Sequence, residues 1–372
     1  MSQVLPTPGT PLDEVQTPSL ILDLPVLELN VALVNGFFRD RPAKVRSVTK
    51  GHKCPAIAQM QMTAEGAVPY GLACAKVSEA EIMVAAGARS IRMIEQVVGP
   101  DKLARLMCLT RRAEVIALVD DPVQVDALAE AAEAFGVTPG VMVDIDIGLR
   151  RCGVQPGTPA VALAQYITRH RQLRFQGLSG HESSNSIPDP AAREARQRMH
   201  FQRLVDTRAD VERAGLPVAI CAGGATAAWC VAGTMDGITE VEPGAYATAD
   251  YGLIRAMPEM GCGLALKVVA TVLSRPVPER AVLDCGHKMV GVSQGGGMPG
   301  ALAPKGATME RLNSEHGILD LQQDARALRI GDKVELYPWY YGAVINANRH
   351  YVGVRDGRVE CVWEIAAQGA HQ

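Results

Sequence analysis

The sequence predicts an α/β protein: a (β/α)8 barrel with a C-terminal all-β domain. Three observations predict it. Eight short apolar runs, several of them nearly continuous, alternate with helix-period segments through roughly the first 250 residues. Eight is the number of strand–helix repeats that closes a barrel. No GxGxxG follows the first run, which argues against a doubly wound open sheet. Beyond about residue 260 the texture changes to β runs separated by turns.

Taken in order, "TPSLILDLPVLELNVALV" gives the all-β domain one strand before the barrel begins. The barrel runs are 45–50, 68–75, 90–95, 114–120, 140–146, 175–182, 217–224 and 238–246. Strands of a parallel sheet are covered on both faces, so continuous apolar runs are their expected signature. Helices are expected at 56–64, 78–86, 101–112, 122–135, 159–170, 190–214 and 225–232. In "VSEAEIMVAAGA", Ser78 reads as an N-cap with Glu81 three positions on, and Gly87 as the stop. The later β runs are "LALKVVATVLSRP", "RAVLDCGHKMV", "KVELYPWY" and "HYVGVRDGRVECVWEIAA", the last turning at Arg355-Asp356-Gly357. Residues 293–308, rich in Gly, Pro and Met, read as a loop able to serve as a lid. The expected domains are a barrel over 28–258 and a β domain made of 1–27 plus 259–372.

Composition narrows the function. The chain has 372 residues, enough for a large core. Net charge is −3 and no basic stripe occurs, and with 4% aromatic residues the sequence argues against a nucleic-acid partner. The nine cysteines are scattered without CxxC spacing, which fits a reduced, cytoplasmic setting. Neither a signal peptide nor a membrane-length apolar run is expected.

Barrel chemistry sits at the carboxyl ends of the strands. Those ends carry Lys50, Cys74 with Lys76, Glu95, Asp120, Asp146 with Arg150 and Arg151, His181 with Glu182, Gly223 with Gly224, and Tyr246. Lys50, in "RSVTKGHKCP", is either a solvated strand end or an amine over a pocket. An amine in an apolar setting loses proton affinity and becomes nucleophilic. Lys53 and Lys76 are rivals, and Lys53 is expected on the first helix. The last two strands end in "CAGGAT" and "EPGAYA", whose small residues expose backbone N–H groups where barrels often hold phosphate. Lysine and phosphate cradle together suggest pyridoxal phosphate as cofactor.

The ordered set "TPSLILDL", "TKGHKCP", "GLACAKVSEAEIMVAAG", "IEQVVGP", "DIDIGLRRCGV", "CAGGAT", "EPGAYA", "LNSEHG" and "RVECVWEI" resembles the D-threonine aldolase and D-serine dehydratase-like family. The resemblance covers nearly the whole chain. It implies an alanine racemase-like fold, fold type III among pyridoxal phosphate enzymes, working as a homodimer on a small amino acid. By resemblance, Lys50 carries the cofactor and Arg151 faces its ring nitrogen, with Arg150 as an unusual neighbour. The phosphate loops fall on Gly223, Gly224, Ala225 and Thr226, and on Gly244, Ala245 and Tyr246. Arginine does not readily give up a proton, so the ring nitrogen would stay unprotonated and the cofactor would be a weaker electron sink.

Two departures qualify this. "SVTK" supplies no histidine just before the lysine, although His52 matches the family pattern. The family's divalent-metal pair falls in "YPWYYGAVIN", on Tyr340 and on Gly342 (or Tyr341), which are poor ligands. Cys285, His287, Glu315 and His316 are candidates for rebuilding a site, but the sequence predicts no tightly bound metal. The expected activity is a lyase reaction on D-β-hydroxy amino acids, retro-aldol cleavage or dehydration, with Lys50, Tyr340, His316 and His181 as catalytic candidates. A racemase or epimerase using Lys50 and Tyr340 is the alternative, since it needs no metal. A pyridoxal phosphate carrier without turnover is disfavoured by the C-terminal domain. Trp229 and Trp339-Tyr340-Tyr341 hint at an aromatic wall for the substrate.

Overall fold

A computed structural model describes residues 4–182, 184–291 and 297–372. The chain divides into two compact units. One is formed by Val31–Lys50, Pro55–Gly244 and Ala370–Gln372, and the other by Met1–Asn30, Gly51–Cys54 and Ala245–Gly369. The chain opens with strand β1 (Ser19–Asp23) and helix α1 (Leu24–Phe37).

The first unit is the barrel. Its strands are β2 (Lys44–Val48), β3 (Ala67–Cys74), β4 (Ser90–Met93), β5 (Glu114–Val119), β6 (Gly140–Asp144), β7 (Arg174–Gly180), β8 (Ile220–Gly223) and β9 (Glu240–Val241). They pair in parallel in sequence order, and β9 closes onto β2. Every residue of β4 and β6 is buried, as strands covered on both faces require. The helices between them are α2 (Pro55–Thr63), α3 (Val77–Ala85), α4 (Pro100–Thr110), α5 (Pro122–Phe135), α6 (Thr158–Ile167), α7 (Pro190–Arg213) and α8 (Trp229–Ala232). Local chemistry starts several of them. Asp121 accepts from the Val123 N–H at 2.8 Å ahead of Pro122, and Asp189 from the Ala192 N–H at 2.8 Å ahead of Pro190.

Below the mouth, the barrel interior holds a charged network that the sequence pattern did not suggest. Arg46 and Arg92 are 2% and 0% exposed. Arg46 makes a two-pronged pair with Glu240 at 2.7 and 3.0 Å. Arg92 bridges Glu240 and Glu242. Burial alone pushes the Glu240 carboxyl up, but Arg92 and Arg46 outweigh it and hold the group at about 2.

The second unit is a sheet that starts from β1 and resumes after helix α9 (Tyr251–Ala256). Its strands are β10 (Leu266–Val277), β11 (Arg280–Leu283), β12 (Gly300–Ala303), β13 (Ala307–Leu312), β14 (Gly317–Leu321), β15 (Lys333–Tyr337), β16 (His350–Arg355) and β17 (Arg358–Glu364). Helices α10 (His287–Val290) and α11 (Tyr341–Ala347) interrupt them. Among the described residues it is a nine-stranded sheet with the path β13-β14-β11-β10-β1-β16-β17, and β15 joins β10 to β12. Val15, Ile21, Val269, Val352, Val354 and Val359 form one of its apolar clusters.

Several expectations need correction. The sheet unit takes the chain back at Ala245, well before the expected boundary at 258, because that segment bonds within it. Asn30 donates to the Ala247 carbonyl at 2.9 Å, and the Tyr251 N–H to the Pro338 carbonyl at 3.0 Å. Ser78 is not the cap of α3. The chain enters that helix through Lys76 without a side-chain cap, Ser78 donates to the Gln372 carbonyl, and Glu81 pairs with Arg105. Lys53 lies ahead of α2 with φ 56°, not on the helix. The expected loop at 293–308 includes β12 and the start of β13. Its residues 293–296 lie outside the described residues.

Candidate active site

The carboxyl end of β2 stops at Val48, and a single helical turn, Thr49–Gly51, carries Lys50 beyond it. Lys50 is half-buried. Burial, and next the Arg151 charge, lower its proton affinity, while Glu79, Glu242 and Glu95 oppose the shift. Lys50 therefore has a larger free-amine fraction at neutral pH than an exposed lysine. The rival Lys76 is tied to Glu95 at 2.6 Å, and Lys53 belongs to the sheet unit, donating to Asn346 at 3.2 Å. Cys74 is fully buried with its thiol pushed well up, so it is no nucleophile.

Arg151 stands on the loop after β6, and the acids expected at the mouth pin that loop. Asp146 accepts from the Gly148 and Arg150 N–H groups at 3.0 and 2.9 Å, and Asp120 from the Gly153 N–H at 2.8 Å. Both are thus structural. Asp144, which the sequence reading did not single out, accepts from Gln96 at 2.8 Å, and burial raises its carboxyl to about 6. His181 follows β7. Burial, with Lys50 and Arg151 beside it, holds its imidazole at about 3. It is neutral at physiological pH, able to hydrogen-bond but a weak proton acceptor while both cations face it.

Loops 223–226 and 244 are brought together: Thr226 Oγ1 accepts from the Gly244 N–H at 3.0 Å. Gly224 has φ 87°, and a Cβ there would lie 2.9 Å from Ala232 Cβ and 3.0 Å from Val241 Cγ1. Among the described residues, the Gly224 and Ala225 N–H groups donate to no protein atom. Ala245 and Tyr246 continue this loop in the sheet unit and are buried. Tyr246 lies beyond β9, which is two residues long rather than reaching 246.

An amine of lowered proton affinity, a guanidinium and a tied pair of glycine loops with unengaged amides at Gly224 and Ala225 fit pyridoxal phosphate. The amine suits the aldehyde and the amides suit the phosphate.

In the sheet unit, His316 is exposed in the β13–β14 turn, and its carbonyl accepts from the Asn313 N–H at 2.8 Å. Tyr340 precedes α11, with its ring 4.8 Å from that of Tyr341. Burial raises the Tyr340 phenol pKa, so it stays protonated. Asp250, raised to about 6 by burial, accepts from the Tyr341 N–H at 3.1 Å. A Cβ on Gly342 would lie 2.6 Å from Tyr340 Cε1 and 2.9 Å from its hydroxyl. The phenol thus lies over the spot where a ligand side chain at 342 would begin. Among the described residues no three His, Cys, Asp or Glu side chains are grouped to hold a metal. A phenol beside a bare glycine is the wrong donor set, so positions 340 and 342 do not fit a divalent ion. Trp229 packs edge-on to Phe37 at 5.0 Å and beside Phe38, so it is core, not a substrate wall.

Residues 22–252 match the family model for the alanine racemase N-terminal domain, and 265–354 that of a serine dehydratase domain. D-threonine aldolase from an Arthrobacter species is 35% identical over 97% of this chain and 95% of its own length. The chain belongs to the alanine racemase-like family that includes D-threonine aldolase. Another member of this family, 3-hydroxy-D-aspartate aldolase from Paracoccus denitrificans (strain Pd 1222), is 30% identical over 97% of this chain and 94% of its own. The crystal structure of D-threonine aldolase from Filomicrobium marinum superimposes with a TM-score of 0.94. It is 36% identical and covers 99% of this chain and 100% of that one. The fold is alanine racemase-like, as the resemblance implied.

Besides Asp144, two further groups escaped the sequence reading. Glu242, two residues after Glu240, sits between the barrel network and Lys50, and only its place in "EPGAYA" could have flagged it. Glu79 was masked by the Ser78–Glu81 pattern, read in the wrong register.

Proposed function

We propose that this chain is a pyridoxal phosphate-dependent lyase acting on D-β-hydroxy amino acids, by retro-aldol cleavage or dehydration. The observation that carries the reading is Lys50, an amine of lowered proton affinity grouped with Arg151 in a barrel whose last two strands end in tied glycine loops suited to phosphate. The full-length likeness to aldolases of D-threonine and 3-hydroxy-D-aspartate supplies the substrate class.

The cofactor, when bound, supplies an aldehyde for the amine and a conjugated ring that accepts electron density from the substrate. Everything else falls to the chain. Gly224 and Ala225 bind the phosphate through backbone N–H groups, on a loop that Thr226 ties to Gly244. Arg151 orients the ring and keeps its nitrogen free of a proton. Lys50 Nζ takes or delivers the proton at the substrate Cα. His181 holds the substrate as a neutral hydrogen-bonding group. We also propose a cytoplasmic homodimer. No disulfide joins the nine cysteines, and no helix among the described residues is long and apolar enough to cross a membrane.

The test is direct. Wild-type protein with pyridoxal phosphate should show a protein-bound band near the visible edge and release an aldehyde from D-β-hydroxy amino acids. Lys50→Ala should lack the band and lose activity by on the order of 10²–10⁴-fold. A band that survives in Lys50→Ala defeats the reading. The mismatch of Tyr340 and Gly342 with a metal favours one second reading, a racemase with Lys50 as one base. In deuterated water it would yield both enantiomers labelled at Cα and no aldehyde.

A further inference from the structure

Glu79 is 1% exposed, lies in the first turn of α3, and takes no part in the chemistry proposed above. Its two oxygens are both engaged. Oε1 accepts from Thr49 Oγ1 at 2.8 Å, and Oε2 accepts from the Ala75 N–H at 2.8 Å. Thr49 is fully buried and immediately precedes Lys50. The turn Thr49–Gly51 lies beyond the last ladder residue of β2. Thr49 Oγ1 also lies 3.3 Å from the Ala73 carbonyl and 3.4 Å from Cys74 Sγ on β3, but its 2.8 Å bond to Glu79 is the shortest, and Glu79 in turn holds the Ala75 N–H just past the carboxyl end of that strand.

The carboxylate also carries charge. Arg151 and His181 face Lys50 from the loops after β6 and β7. Glu95 and Glu242 face it from the ends of β4 and β9. Glu242 already serves Arg92, and Glu95 serves Lys76. Among the acids, Glu79 weighs most on the amine.

We propose that Glu79 is a positioning residue for Lys50: it clamps Thr49, and so the turn that presents the amine, and it places a fixed negative charge behind that amine. This rests on Lys50 being the cofactor lysine. Without Glu79, only Glu242 and Glu95 would oppose burial and Arg151 at the amine, and the turn would lose its shortest side-chain bond.

The experiment uses the apoprotein, so it needs no turnover. Trace acylation across a pH series, read by mass spectrometry of the Lys50 peptide, gives the amine's titration midpoint. In Glu79→Gln the midpoint should fall by about one pH unit, whereas Glu79→Asp, which keeps the charge, should stay near wild type. Thr49→Val should leave the midpoint in place but speed amide hydrogen exchange at 49–51. A folded Glu79→Gln with an unmoved midpoint overturns the proposal. If that variant does not fold, unchanged exchange in Thr49→Val overturns it instead. Absence of cofactor binding or aldehyde release in wild type would sink the functional reading and leave this titration readable.

Discussion

Tyr340 and Gly342 show how a single residue pair can redirect chemistry. With the phenol lying over the glycine, this chain should bind no divalent ion there. Chelator treatment should leave aldehyde release unchanged, and calorimetric titration with Mn²⁺ should show no site. The double change Tyr340→His with Gly342→Asp should create a measurable site, whereas Gly342→Asp alone should not, because its Cβ meets the ring. A wild-type enzyme silenced by chelator would refute this. At this scale the sequence revealed identities better than roles. Lys50 and Arg151 were legible through their motifs. Asp120 and Asp146 stand among the ionisable groups at the strand ends, yet Asp146 Oδ1 and Asp120 Oδ2 are spent on backbone N–H groups of the Arg151 loop. Hydrogen-bond partners of that kind have no sequence signature.

Among the elements, the loop after β8 is the most constrained part of the site. Gly224→Ala imposes a left-handed backbone on a residue with a Cβ and pushes that atom against Ala232 and Val241. Thermal unfolding should report a loss of about 1–3 kcal/mol, and cofactor titration about a tenfold weaker Kd. A variant as stable and as tight as wild type would mean that the loop tolerates another shape. Strands β5 and β6 could be read from sequence as nearly unbroken apolar runs, whereas β2, β4 and β9 carry Arg46, Arg92 and Glu240 and were legible chiefly through their alternation with helical segments. The β16–β17 hairpin was equally plain, since Asp356 and Gly357 both take positive φ, as a tight two-residue turn demands. Helix α1 was hidden inside a strand-like apolar stretch, although Leu24, Leu27, Val31 and Val34, all buried, keep helical spacing. Helices α10 and α11 are 4 and 7 residues long, too short for a period to emerge.

At the scale of the whole molecule, barrel closure depends on charge. The β2–β9 seam has two residue pairs, and the Arg46–Glu240 fork braces it. Arginine and glutamate in strands read as outward-facing, so this interior network was invisible in the sequence. Glu240→Gln leaves the buried Arg46 without its carboxylate and Arg92 with Glu242 alone, and should cost about 3–5 kcal/mol in urea unfolding. The acid response follows from the low folded value of Glu240. Its ordinary carboxyl pKa lies above the folded value of about 2, so the unfolded chain binds the extra proton first. The pair's contribution is complete above the ordinary carboxylate range and drains away as pH falls towards 2. Glu240→Gln should lose that part of the acid sensitivity, and an unaltered acid profile would count against the assignment.

The same seam has a temporal side. Arg46 and Glu240 are 194 positions apart along the chain. At ribosomal speeds of about 5–20 residues per second, the guanidinium waits roughly 10–40 s for its carboxylate to be synthesised. Throughout that interval an incomplete, unclosed cylinder must survive on the local strand–helix contacts of its early repeats.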